Sequence, residues 1–203
     1  MNAEAHAAHP AHSHPPTATG LDNLKLGFWV FLGSETLFFG TFIATYMIYV
    51  GRSLEGPYPH EILDIPLTTV STFILLMSSL AMVLALNAVQ KDNRRGALLW
   101  LMMTAGLGSI FLGFQAYEFT HFYNEGLTLQ SSIFGTTFFI LTGFHGIHVT
   151  VGVIWLMILW LQTYAGRIRS ADALKVEIAG LYWHFVDIVW IVIFMLVYLM
   201  QEG

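Results

Sequence analysis

From residue 24 onward, five long apolar runs alternate with short polar breaks. The runs cover Leu24–Val50, Pro66–Val89, Ala97–Phe122, Ile133–Tyr164 and Val176–Met200. Each is longer than the ~20 residues an α-helix needs to cross a hydrocarbon core about 30 Å thick. In that medium backbone N–H and C=O groups must be satisfied inside their own segment, which selects helices. The pattern therefore predicts an all-α fold: an integral membrane bundle of five transmembrane helices forming one domain over residues 24–203. The fourth run is the longest and is expected to tilt or to extend beyond the core. Pro66 suits the first turn of the second helix, where its missing N–H costs nothing. Residues 1–23 break the pattern: His6, His9, His12 and His14 sit among Ala and Pro. This stretch reads as a disordered cytoplasmic tail. A weak transition-metal site on its free imidazoles is the sharper alternative.

Composition agrees with the pattern. Of 203 residues only 10% are charged, against about 25% in soluble domains. The absence of cysteine excludes a disulfide framework, a thiolate metal site and cysteine catalysis. No basic face suggests nucleic acid, and no basic start precedes an apolar run in the first 20 residues, so no cleavable signal peptide is expected. Charge also gives direction. With five spans, the amino terminus, the second connection and the fourth connection share one side, with Lys25, Lys91, Arg94, Arg95, Arg167, Arg169 and Lys175. The other side has Arg52, with Glu55, Glu61, Asp64 and Glu125. Lys and Arg mark the inner side, so the amino terminus is expected in the cytoplasm and the carboxyl terminus outside.

Ionisable residues within the runs are the candidate chemistry, because such groups are expensive in hydrocarbon and face a bundle interior or a partner. Glu35 lies ten residues beyond Lys25, about 15 Å into the membrane. His145 and His148 share a face of the fourth helix, one turn apart; His184 and Asp187 share a face of the fifth in the same way. All five fall near mid-membrane and form a candidate buried polar network. Glu118 and His121 lie near the outer end of the third helix, where water is expected to reach. Four readings are open: a haem held between His145 and His184, a metal site of two histidines and carboxylates, a proton or ion pathway, and a polar network that only fixes helix register. Gly33, Gly40, Gly106, Gly108, Gly113, Gly143, Gly146 and Gly152 suit close helix packing, with Trp29, Trp100 and Trp183 filling the bundle or meeting lipid. No phosphate loop, hydrolase triad or redox motif is present. From the residues alone, the chain is a five-helix membrane protein with a buried polar layer and no evident active site.

The segments Ser34-Glu35-Thr36-Leu37-Phe38-Phe39, Gln115-Ala116-Tyr117-Glu118, Thr142-Gly143-Phe144-His145-Gly146-Ile147-His148 and Tyr182-Trp183-His184-Phe185-Val186-Asp187-Ile188-Val189-Trp190 closely resemble subunit III of haem–copper terminal oxidases. The resemblance runs over about residues 24–200. It implies a subunit with no catalytic residue, haem or metal of its own, packed against the catalytic subunit I beside subunit II. Haem and copper belong to those partners, which reduce oxygen to water and pump protons. It also implies support of subunit I's stability, proton uptake and oxygen entry, in a bacterial inner membrane. Glu35 matches the family's intramembrane glutamate, and His145, His148, His184 and Asp187 match its later motif positions. Longer members carry two further helices that make a lipid cleft; those are missing here, so the cleft is not carried over. Phe144 and Gln115-Ala116 lean toward the cytochrome c oxidase branch. A quinol oxidase subunit, an accessory protein of nitric oxide respiration and an independent transporter are the alternatives.

Overall fold

A computed structural model of the chain describes residues 23–50, 52 and 64–200. The four tail histidines, Glu55 and Glu61 lie outside the described residues. Among the described residues five α-helices follow in order: α1 (Asn23–Tyr49), α2 (Ile65–Gln90), α3 (Arg94–Asn124), α4 (Ile133–Tyr164) and α5 (Ala173–Phe194). A 3-10 turn, Ser170–Asp172, leads into α5, and a π turn, Met195–Leu199, continues it. All five spans are long and apolar enough to cross a membrane, and no strand occurs among the described residues.

Hydropathy located the spans, but side-chain caps set where several helices begin. Asp64 accepts from Leu67 N at 3.0 Å, with Pro66 in the first turn. Asn93 accepts from Gly96 N at 3.0 Å, so α3 starts three residues before its apolar run. Ser132 accepts from Gly135 N at 3.0 Å and starts α4. Each cap satisfies an amide left open at a helix start. Gly126 (φ 87°) and Gly166 (φ 71°) reverse the chain just past α3 and α4, in a left-handed conformation that costs glycine little.

α2 packs on α3, α3 on α4, and α5 lies against α1, α2 and α4. α5 is the most enclosed span, and α1 is the least, with 11% of its apolar window buried. α1 buries only Leu32, Phe39 and Tyr46, spaced by seven. Trp183 of α5 fills the centre and donates from Nε1 to Ser78 Oγ at 2.9 Å. A Cβ at Gly108 of α3 would come within 2.5 Å of its ring, and one at Gly152 of α4 within 2.8 Å. Those two glycines are the seat of the indole. At Gly33, Gly40, Gly106 and Gly113 a Cβ would meet nothing within 4 Å; these four are not seats for another side chain inside the subunit.

One end of the bundle is tied by polar contacts. Lys25 pairs with Glu177. Arg94 donates to the carbonyls of Thr163 and Tyr164 at the end of α4, where the last turn leaves carbonyls without partners inside the helix. The Asp92 carboxylate accepts from Ser170 N and Oγ, both at 2.8 Å. The backbone N–H and the hydroxyl hold this carboxyl below its ordinary range.

Candidate functional site

The sequence-level polar layer resolves into separate clusters. The first joins α1 to α4. His148 places Nε2 3.1 Å from Glu35 Oε2 and Nδ1 2.8 Å from the Phe144 carbonyl. A carbonyl only accepts, so Nδ1 carries a hydrogen and donates. Between Nε2 and Oε2 two lone pairs cannot face each other, so one proton lies between them. The pair is an imidazole with a carboxylic acid or an imidazolium with a carboxylate, and its net charge is zero in both. Phe38, Phe39 and Phe42 of α1 surround this contact with Phe144 of α4. Tyr182 of α5 donates to the His148 carbonyl at 3.1 Å. Beside the pair, an open apolar cleft of about 460 Å³ is lined by Phe28, Phe31, Ile147, Val151 and Trp155.

His145, one turn from His148, belongs to a second cluster. It is 0% exposed and donates from Nε2 to the Val186 carbonyl at 3.2 Å. Its ring packs 4.8 Å from Trp190 and 5.9 Å from Phe111, leaving no space beside it for a macrocycle. Gln115 of α3 donates to the Thr142 carbonyl at 2.7 Å. Gly146 makes room for this amide, because a Cβ there would come within 2.7 Å of Gln115 Oε1.

The third cluster joins α2 to α5. Ser79 Oγ and His184 Nδ1 are hydrogen-bonded at 2.6 Å. The Ser79 hydroxyl also lies beside the Asp187 carboxyl, but its bond goes to His184. Both Asp187 oxygens, on a side chain 3% exposed, are left without a hydrogen-bond partner among the described residues. Toward the carboxyl-terminal end of α3 the sequence expectation needs correction. Glu118 does not sit in water: it is 4% exposed and accepts from Thr68 of α2. It lies on the buried face of α3 that also holds Phe111 and Gln115, whereas His121 in the last turn is exposed.

The expected residues are thus all interhelical contacts or neighbours of one, except His121. Among the described residues no group of three or more His, Asp or Glu could hold a metal ion. Sequence reasoning missed the partners that α2 supplies: Thr68 to Glu118, Thr72 to Trp190, Ser78 to Trp183 and Ser79 to His184. Thr68, Thr72 and Ser79, spaced by four and seven on one face of α2, were the available signal. Trp190 donates to Thr72 Oγ1 at 2.9 Å in the same manner.

Residues 6–202 match the family model for cytochrome c oxidase subunit III. The chain belongs to the cytochrome c oxidase subunit III family. It is 41% identical over 197 residues to cytochrome c oxidase subunit 3 of Alkalihalophilus pseudofirmus, covering 96% of this chain and 94% of that protein. It is 38% identical over 201 residues to quinol oxidase subunit 3 of Bacillus subtilis, covering 98% of each. A third relative, cytochrome c oxidase subunit 3 of Bacillus sp. strain PS3, is 38% identical over 178 residues, or 88% of this chain and 86% of that one. The subunit III family accordingly includes relatives of this chain named for both kinds of oxidase.

Proposed function

We propose that this chain is the non-redox subunit III of a proton-pumping haem–copper terminal oxidase in a bacterial inner membrane. It packs against the catalytic subunit I, with subunit II close by, and those partners hold the haem and copper that reduce oxygen to water. The observation that carries this reading is the whole-length match: a relative named as an oxidase subunit aligns over 96% of this chain and 94% of its own length. The geometry supports a supporting role. The polar side chains at mid-membrane act between helices, as Glu35 does with His148 and Ser79 with His184. Such contacts hold a helix face in one register.

The oxidase is proposed to take electrons from cytochrome c, since Phe144 and Gln115-Ala116 resemble that branch. The quinol oxidase reading is favoured by the Bacillus subtilis relative, aligned over 98% of both chains. In either complex this subunit helps stabilise subunit I, supports proton delivery to it and keeps an oxygen path open. Removing it leaves the redox centres in place but exposes the surface it covered.

Steady-state oxygen consumption by the subunit-depleted complex, across a pH series with repeated donor additions, tests this. Near-normal haem spectra and initial activity are expected at low pH. Activity should fall over successive turnovers, and the rate should drop more steeply than in the intact enzyme as pH rises. A depleted enzyme that matches the intact one at every pH refutes the supporting role. Loss of the haem spectrum refutes the separation of roles.

A further inference from the structure

The exposed face of α5 forms the floor of a groove. α1 packs on one side of it and α2 on the other, while α1 and α2 scarcely touch each other. The floor presents His184, half-buried, and Ile188, 60% exposed. On the α2 side stand Ser79 and Leu80. The α1 side follows from helix geometry. Glu35, Phe38 and Phe42 meet α4, and Lys25 and Phe39 meet α5. Continuing round the helix in the same sense, Gly40 and Gly33 come next. Both are exposed, and a Cβ at either would meet nothing.

His184 sits at the middle of its span, fourteen residues after Ser170 and fifteen before Leu199. Its Nδ1 is bonded to Ser79, and its Nε2 has no partner among the described residues. Whichever tautomer the Ser79 bond selects, Nε2 needs a counterpart, as a donor or as an acceptor. Behind it lies the buried Asp187 carboxyl with both oxygens unpartnered. Acyl chains offer no hydrogen-bonding group, and a headgroup stays about 15 Å away at the interface. Only another protein segment brings a polar side chain to that depth, and flanking glycines let a helix backbone approach closely.

We propose that this groove seats a transmembrane helix of a neighbouring subunit, which presents a hydrogen-bonding side chain to His184 Nε2 at mid-membrane. The proposal rests on the subunit reading above and names the surface through which the chain joins its complex.

The test uses the intact complex purified from cells. A photo-crosslinking side chain at Leu80 or Ile188 should give a covalent adduct with another subunit, identified by mass spectrometry. The same group at Ile110, on the outer face of α3, should give none. Retention of the chain on the complex is then followed with rising detergent. His184→Ala should weaken association about threefold, the effect of one average interhelical hydrogen bond in a membrane. His184→Gln should recover most of it. Gly40→Leu adds a side chain into space that is open in the free subunit, so the fold is kept; it should weaken retention at least as much, and Gly113→Leu on α3 should not. Adducts from Leu80 and Ile188 to lipid alone, or to another copy of this chain, overturn the proposal. So does a Gly113→Leu loss as large as that of Gly40→Leu. If the unmodified chain purifies with no oxidase subunit, the subunit reading itself fails. If it co-purifies but the groove captures no partner, only this inference fails.

Discussion

At Glu35 and His148 one hydrogen bond joins two ionisable residues inside apolar spans. Separating them leaves a polar group in an apolar seam, which costs about 1–3 kcal/mol. Glu35→Ala and His148→Ala should therefore each lower the thermal stability of the purified complex by about that much. Glu35→Gln should be milder, because its amide still bonds to His148. Equal melting temperatures for Glu35→Gln and Glu35→Ala would show that the hydrogen bond contributes nothing. Asp92 offers a pH test at the polar end. Its carboxyl is held below the ordinary range by the Ser170 amide and hydroxyl. A depressed folded value means that its stabilisation is present above the unfolded carboxylate range and is lost as pH falls through the folded value. Protection of the Ser170 amide from hydrogen exchange should accordingly fall on acidification, and Asp92→Asn should remove that dependence. An unchanged acid response in Asp92→Asn would rule the carboxylate out.

Trp183 links its own helix to three others through one side chain, seated over Gly108 and Gly152 and bonded to Ser78. Gly108→Ala or Gly152→Ala forces the indole to move, and overpacking of this kind costs about 1–3 kcal/mol. Gly113→Ala, with open space around it, should instead gain up to about 1 kcal/mol from helix propensity. Chemical or thermal unfolding of the purified complex measures both, and equal effects at the two kinds of glycine would contradict the packing described. The helices themselves were legible because a bilayer leaves the backbone little other choice. Their number and the bounds of α4 followed from hydropathy alone. The early start of α3 did not, because Arg94 and Arg95 are polar and belong to the helix through the Asn93 cap. The division of the glycines was also hidden: Gly33 and Gly152 look alike in sequence, and only the position of Trp183 separates them. The residue types of the polar layer were legible, but its pairing was not. A serine or threonine in an apolar helix commonly bonds back to its own carbonyls, as Thr72 does to Thr68. Nothing local marks Ser79 as the partner of His184. Glu118 was misplaced because its depth was counted from the helix end, whereas burial depends on which face meets α2.

For the whole molecule, the alternation of five spans places seven of the eight Lys and Arg residues at one end. The structure ties that end together: Lys25 reaches Glu177, Arg94 reaches the last carbonyls of α4, and Asp92 reaches Ser170. These bonds join the start of α1, the α2–α3 turn, the end of α4 and the start of α5, so the cations occupy one face of the assembled bundle. Moving such a face across a bilayer during insertion is strongly disfavoured, and the bias of Lys and Arg sets orientation. Only Arg52 opposes it. The charged end should therefore lie in the cytoplasm, with the amino terminus beside it and the carboxyl terminus outside. A tag after Gly203 should react with membrane-impermeant reagents in sealed cells. A tag inserted in the α2–α3 turn next to Lys91 should react only after the membrane is opened. Protection of the first tag together with reaction of the second in sealed cells would invert the assignment. It would also move the Asp92–Ser170 junction, and with it any role of these loops in proton uptake, to the opposite side of the membrane.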